Sequence, residues 1–340
     1  MKKYKISIIL PARNEMFLSR TIEDILEHKE VDTEIIVGLD GQWADPSIKD
    51  HQDVTIVYVS ESLGQRAITK ACAKLSKAKY IIKTDAHCSF DQGFDRKMLE
   101  AFKKTGDNVV MVPIMKNLHA FNWRCYENYC GWSKYQGPTP ETCPNCGSSK
   151  KLRREMIWKP KANVNSTAYH FDSAPHFQYF SEFKHRPEYV KDKKEKRITE
   201  TMSLQGSFFM CTRERYFTLD LDDERVGSWG NQAIMVACKM WLSGGRVLVN
   251  HNTWYAHMFR TQGGDFSFPY PQHGKDVSRC KAKVRKMIWK NQDKNQVLPL
   301  SWLIEKFKPV PGWPDEKLEE IKKEGEEFMK RRKEEAERIL

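Results

Sequence analysis

The 340-residue sequence predicts an α/β fold: a mainly parallel central sheet flanked by helices. Apolar strand-like runs alternate with helix-period stretches through roughly the first 115 residues, the order expected of a parallel sheet with crossover helices. The chain is long enough to bury one large core. Two of the strand-like runs end in polar clusters, PARNE (11–15) and TDAH (84–87), at the carboxyl ends where such sheets bind ligands.

KISIIL (5–10) reads as a first, buried strand, followed by a helix over MFLSRTIEDILEH. EIIVGLD (34–40), VTIVYV (54–59) and YIIKTD (80–85) read as further strands, and NVVMVP (108–113) as a fifth. Between the third and fourth, Ala67, Ile68, Ala71, Leu75 and Ala78 recur at helical spacing. The pattern breaks over 118–198, which is rich in aromatics, cysteine, proline and lysine without a clear period. It resumes at SLQGSFFMCTRERYF, a helical GNQAIMVACKMWLSGG and the strand RVLVNH. Residues 265–314, with several prolines and three tryptophans, predict an irregular segment laid over the core. From Pro314, a first-turn proline, a charged helix follows with Glu319/Lys323, Glu326/Lys330 and Glu327/Arg331 at i,i+4. It suits either terminal packing or a partner helix. This divides the chain into 1–117, a cysteine-rich insertion 118–198, a second half 199–264 and an extension 265–340.

Net charge is +12, yet residues 315–340 hold ten acids and eight bases (−2), so the other 314 residues carry +14. Clusters at Lys150–Arg154, Lys191–Arg197 and Lys275–Lys294 suit a polyanionic partner or anionic substrate, or simply solubilise. No apolar run reaches the ~18 residues of a membrane span, and the start reads as a strand rather than a signal peptide. The expectation is a soluble cytoplasmic protein, with its nine cysteines reduced, metal-bound or simply buried.

Asp85 and His87 stand two apart after an apolar run. If the strand continues, both side chains share a face, and one carboxylate with one imidazole suits a divalent ion such as manganese. On these residues alone the alternative is that Asp85 caps the next helix and His87 is incidental. The second cluster is Cys125-x4-Cys130, then twelve residues, then Cys143-x2-Cys146. Cys-x2-Cys before a glycine is a knuckle that aims two thiolates at one tetrahedral ion. Structural zinc fits, because a loop-rich insertion without its own core gains folding energy from the metal. Unrelated buried thiols are the alternative.

WGNQAIMVACKMWLSGGRV (229–247) followed by WYAHMFR (254–260) resembles the nucleotide-sugar glycosyltransferases of the GT-A (Rossmann-like) fold. In particular it is similar to the family-2-like polypeptide N-acetylgalactosaminyltransferases, which carry a Trp-Gly-Gly-Glu-Asn helix and a later Gly-His-Val-Phe-Arg. ISIILPARNE, IIVGLDG, LGQRAITKAC and TDAHCSF occur in the family's order and spacing. The likeness covers about residues 5–115 and 203–260 and leaves out the cysteine insertion and the extension. It implies that Asp85 and His87 form an Asp-x-His metal pair, with His257 as third ligand for Mn2+ or Mg2+. The metal would neutralise charge on the departing diphosphate. Pro11, Ala12, Arg13, Glu15 and Asp40 would line the donor's nucleoside pocket, with Asp40 bonding the base. Arg66 would sit near the donor. Gly206-Ser207 and Trp229-Gly230 would border the sugar and acceptor side; Gly230 and Gly244-Gly245 equally suit structural roles.

One position departs from the family: Gln232 stands where the relatives have glutamate. An amide cannot accept a proton as general base. Either the reaction retains anomeric configuration, with the leaving phosphate taking the acceptor proton, or Asp222, Asp223 or Glu224 is the base. Retention is the expectation. The resemblance does not choose an acceptor. Basic residues beside the knuckle would neutralise phosphates, and Trp123, Tyr126, Tyr129, Trp132, Tyr135 and Trp158 would stack on bases. TQGGDFSFPYPQHG and FKPVPGWPD resemble the C-terminal segments of phage-encoded glycosyltransferases. These features point to a UDP-sugar donor and a flipped 5-hydroxymethylpyrimidine in DNA as acceptor. A glycan or protein acceptor, or nucleic-acid binding on an inactive scaffold, are the alternatives.

Overall fold

The computed structural model describes residues 3–162, 165–260, 266, 268, 270 and 274–339. Much of TQGGDFSFPYPQHG therefore lies outside the described residues. The chain begins with β1 (Ile6–Ala12), α1 (Leu18–His28), β2 (Thr33–Asp40), β3 (Val54–Val59), α2 (Gln65–Leu75), β4 (Tyr80–Thr84), β5 (Cys88–Phe90) and α3 (Phe94–Thr105). There follow β6 (Val109–Cys125), β7 (Ser133–Tyr135), β8 (Leu152–Pro160), β9 (Tyr169–Phe171), β10 (Phe177–Tyr179), α4 (Pro187–Glu195) and β11 (Ile198–Glu200). The chain then runs through β12 (Phe208–Thr212), α5 (Arg213–Thr218), α6 (Gln232–Leu242), β13 (Arg246–His257), α7 (Gly274–Trp289), α8 (Leu300–Phe307) and α9 (Asp315–Ile339).

The central sheet has the order β11-β13-β6-β12-β4-β1-β2-β3. The expected parallel half is there: β3, β2, β1 and β4 all pair in parallel. Beyond β4 the sheet is mixed, because β12 runs antiparallel to both β4 and β6, while β6 and β13 are parallel. The strands read as continuous apolar runs because both faces are covered. In β1, Ile6, Ile8 and Leu10 join the core under α1 and α3, whereas Ile9 joins the opposite core with Ile68 and Cys72 of α2. α6 is apolar nearly all round and correspondingly buried, with Ile234, Met235, Val236 and Trp241 at most 1 % exposed.

Three sequence expectations change. YIIKTD does not carry Asp85 and His87 on a strand: β4 stops at Thr84, and the Asp85 N–H turns to the Ser207 carbonyl at 2.9 Å. The strand expected over 108–113 runs on to Cys125, so the division at 117/118 falls inside β6. Its antiparallel pairing with β8, with one register shift between His119 and Phe121, gives the first part of the insertion strand structure. Residues 265–314 include two helices, α7 and α8, which bury Cys280, Val284, Ile288, Leu300, Leu303 and Phe307. Prolines punctuate these helices rather than preventing them. Pro314 lies just ahead of α9 and accepts from the Lys317 and Leu318 N–H groups. Of the two readings of this helix, packing is the one observed: Ile321 and Phe328 are buried. A Cβ on Gly325 would collide with Ser301 of α8.

Candidate active site

A cavity of about 590 Å³ opens at the carboxyl ends of β1, β2 and β4. Pro11, Ala12, Arg13, Glu15 and Asp40 line it, as do Asp85, His87, His257 and Trp229. Sheet topology brings the metal-binding residue types together. After β4 the chain crosses to pair β5 with the end of β13, Cys88 opposite His257. The crossing residues are Asp85-Ala86-His87, so the two side chains meet His257. His87 Nε2 lies 3.1 Å from His257 Nε2, and Asp85 Oδ2 lies 3.3 Å from His257 Nε2 and 3.9 Å from His87 Nε2.

Three donor atoms that close, from one carboxylate and two imidazoles, fit a divalent cation. Burial would raise the Asp85 pKa, but the Lys83 ammonium and the two imidazoles hold it well below the usual carboxylate range. Burial pushes His257 down to about 4, so its ring is neutral and able to ligate near neutral pH. Asp85 Oδ1 accepts from Lys83 Nζ at 2.5 Å, and Lys83 also donates to the Gly206 carbonyl at 2.9 Å. Behind His87, Glu15 faces Nδ1 at 3.3 Å and pairs with Arg260. Burial opposes the charge on Glu15, yet His87 and Arg260 hold its pKa down. A carboxylate on the far nitrogen of a metal-ligating histidine fixes ring and tautomer.

Residues 7–159 match the family described as glycosyl transferase family 2. A Drosophila melanogaster protein named as polypeptide N-acetylgalactosaminyltransferase 13 is 20% identical over 319 residues, 87% of this chain and 50% of that protein. The chain thus spans half the length of this curated relative. The crystal structure of GalNAc-T7 with UDP, GalNAc and Mn2+ superposes with a TM-score of 0.60 at 18% identity, over 95% of this chain and 54% of that one. This is a GT-A fold. S. aureus TarS matches more weakly, with a TM-score of 0.48 at 11% identity over 89% of this chain and 42% of that one.

Asp40 and Trp229 stand in the wall of the GT-A cavity as expected, while Arg66, Gly206 and Ser207 are not among its lining residues. Asp40 lines the cavity, but its carboxylate already accepts from the Ser62 hydroxyl at 2.7 Å and from the Leu63 and Gly64 N–H groups at 2.6 and 3.0 Å. It shapes the loop before α2. Gly64 permits this, since its φ is +88° and a Cβ there would meet Ser228. Arg66 is fully buried and does not line the cavity; its guanidinium donates to the Gly227 and Gly230 carbonyls, pinning the Trp229 loop from behind. Gly206 reaches the site only through Lys83, and Ser207 Oγ bonds the Tyr255 hydroxyl at 2.8 Å.

The candidate bases lie elsewhere. Asp223 is tied to Arg225 at 2.7 Å and Glu224 to Lys70 at 2.6 Å. Asp222 is buried behind Gln232, whose amide donates to Asp222 Oδ1 while the Tyr216 hydroxyl donates to Oδ2 at 2.9 Å. Burial raises the Asp222 pKa. Gln232 is an amide for a local reason: its neighbour is a buried carboxylate that needs a donor.

Sequence reasoning missed Lys83, whose only signal is a lysine inside an apolar strand. It also missed Phe268, Tyr270, Asp276 and Val277, which bring the C-terminal extension into the cavity wall. Tyr270 stacks under Arg13 at 4.9 Å. Asp276 stands in the first turn of α7, paired with Arg279.

The four cysteines converge at the hairpin tip, with Cys125 Sγ 3.7 Å from Cys146 Sγ and Cys130 Sγ 3.5 Å from Cys143 Sγ. Four sulfurs bonded at about 2.3 Å to a tetrahedral ion stand about 3.8 Å apart. The donor set fits zinc. The Asn145 amide and the Trp132 N–H pull the Cys130 thiol down to about 6, towards the thiolate that a metal requires.

Proposed function

We propose that this chain is a metal-dependent glycosyltransferase that moves a sugar from a UDP-sugar to a hydroxyl, with 5-hydroxymethylpyrimidine in DNA as acceptor. The convergence of Asp85, His87 and His257 at one end of the GT-A cavity carries the reading. Those residues would hold Mn2+ or Mg2+, which when bound offsets negative charge on the departing diphosphate. Glu15 and Lys83 hold the ligands in place, and Arg13, Tyr270 and the Asp40-anchored loop wall the nucleotide end. The four cysteines would hold structural zinc with no open position for chemistry. The match to GalNAc-T7, whose crystal structure holds UDP, GalNAc and Mn2+, supports the donor and the metal. The excess of basic residues outside the last helix supports a DNA acceptor. No described helix is long and apolar enough to cross a membrane.

Retention suits the site, since neither Gln232 nor Asp222, Asp223 or Glu224 lines the cavity. A second reading rests on Asp276, a cavity carboxylate outside the metal and Asp40 networks, which could serve an inverting reaction as base. The deciding experiment is nucleoside mass spectrometry after incubation with manganese, a panel of UDP-sugars and DNA carrying 5-hydroxymethylcytosine or 5-hydroxymethyluracil. A hexose- or N-acetylhexosamine-sized mass gain on the modified nucleoside is expected. UDP release without that gain would move the acceptor to a glycan or protein, and no UDP release with any donor would end the transferase reading. The anomeric proton of the product, read by NMR, separates retention from Asp276-assisted inversion.

A further inference from the structure

The transfer site makes no use of the solvent side of the zinc-type hairpin. β6 pairs with β13 as far as Asn117 opposite His257. It then continues to Cys125, eight residues or about 26 Å further on at 3.3 Å per residue. β7 and β8 flank it, so a three-stranded arm leads from the metal site to the cysteine tip. Its root packs against the site: Phe17, two residues from Glu15, contacts Phe121 and Trp158, and Arg154 reaches Met16.

The arm's charge is arranged against its own stability. Arg124 stands directly opposite Arg153 across β6 and β8, and opposed like charges on one sheet face are destabilising. Of the two, Arg124 meets an acid, Glu155 at 2.7 Å, while Arg153 turns to the Lys150 and Leu152 carbonyls. On the other face Trp123 lies between Lys134 and Arg154. Between residues 118 and 161 bases outnumber acids eight to three. Cations and rings are interleaved: Arg124 lies over Tyr126 at 5.5 Å and Lys161 over Tyr135 at 4.0 Å. Tyr129 at the tip is fully exposed.

We propose that this arm is the docking surface for a strand of nucleic acid, led along β6 toward the metal centre. Closely set cations bind phosphates and release counterions. Exposed rings beside them offer stacking faces to bases, which an acidic protein surface would not use. The proposal rests on the reading of nucleic acid as the acceptor and gives that acceptor its path.

The test is fluorescence anisotropy of a labelled 20-nucleotide single strand with the full chain, across a salt series. For wild type, log affinity is expected to fall linearly with log salt. The double variant R124S/R153S should bind at least tenfold more weakly, with a slope shallower by about 1.4 for two lost phosphate contacts. Y126S/Y129S should weaken binding without changing the slope. An unchanged thermal midpoint certifies that each variant is folded; if the arginine pair fails that check, the tyrosine pair decides. Affinity and slope equal to wild type in a folded variant would overturn the proposal, as would a wild type that releases UDP yet binds no nucleic acid. Arm-dependent binding without UDP release from any donor would support the arm and sink the transferase reading instead.

Discussion

Asp85 and His257 meet across 172 positions of chain, whereas the four cysteines all fall between residues 125 and 146. The first cluster is assembled by sheet topology: β4 ends, the chain crosses to β13, and the crossing residues face a histidine at that strand's end. Large apolar cores on both sides hold it. The second is assembled by local turns at the end of a hairpin, where Cys125, Cys143 and Leu152 form only a small buried group. One site is a consequence of the fold; the other is a condition for its own piece of fold. Disrupting each cluster should therefore have opposite effects.

The largest effect is expected at the topological site. Asp85→Ala or His257→Ala should lower metal-dependent UDP release by at least about a thousandfold, roughly 4 kcal/mol of transition-state stabilisation. The thermal midpoint of His257→Ala should change little, because the surrounding cores supply the fold, whereas Asp85→Ala also strips the buried Lys83 ammonium of its carboxylate and should be less stable. Manganese binding read by electron paramagnetic resonance should be lost in parallel. Normal turnover in either variant would refute the assignment of these ligands.

At the local site the pattern should reverse. Cys143→Ser should release one zinc per chain, read by elemental analysis, and open the segment 126–151 to limited proteolysis while the GT-A core stays resistant. Structural zinc sites contribute their binding energy directly to folding. A variant that keeps its metal, or an arm that stays protease-resistant without it, would break the contrast drawn here.

A third change probes the buried pair formed by Gln232 and Asp222. Gln232→Glu places two buried carboxyl groups where the amide now donates to Asp222. The pair must share a proton, so its folded pKa lies above the unfolded value. Stability is then present at low pH and lost as pH rises. A cost of about 2 kcal/mol is expected at neutral pH, the scale of an unsatisfied buried polar group. Thermal midpoints at pH 5 and pH 8 check it, and a loss that does not grow with pH would contradict the pairing.

The parallel half of the sheet was legible because strands covered on both faces must be apolar throughout, as in Ile6–Leu10 and Ile35–Leu39. Asp85, His87 and the cysteines were legible because their spacings are local. His257 and the cavity residues of β1 and β2 came only with the family resemblance, since nothing near them marks a site. Asp40 lines the cavity as its strand-end position suggested, but the further partners of Asp40 and Arg66 could not be foreseen, because a charged residue at a strand or helix end looks like a ligand contact until its partners are seen. In both cases those partners are largely backbone groups, which leave no trace in sequence. The helices of 274–307 were hidden by the prolines around them, and the extension's share of the cavity wall, through Tyr270 and Val277, follows from packing alone.

The smallest expected effect lies near the sheet edge, where β13 pairs with β11. His251 is buried, with Nε2 2.9 Å from Thr199 Oγ1. Burial, with Lys193 and Arg197 nearby, lowers its pKa from 6.5 to about 3. In the unfolded chain the ring takes up a proton below pH 6.5; in the folded chain it does not until about pH 3. The unfolded state therefore binds more protons throughout that window, and stability must fall as pH falls through it, at up to about 1.4 kcal/mol per pH unit. His251→Gln keeps a hydrogen-bonding side chain near Thr199 and removes the titration. Between pH 7 and pH 5.5 its midpoint should drop less than that of wild type, by a difference worth about 1 kcal/mol. Parallel pH profiles for the two proteins would mean that the acid sensitivity arises elsewhere, with the buried His257 beside Asp85 as the next group to test.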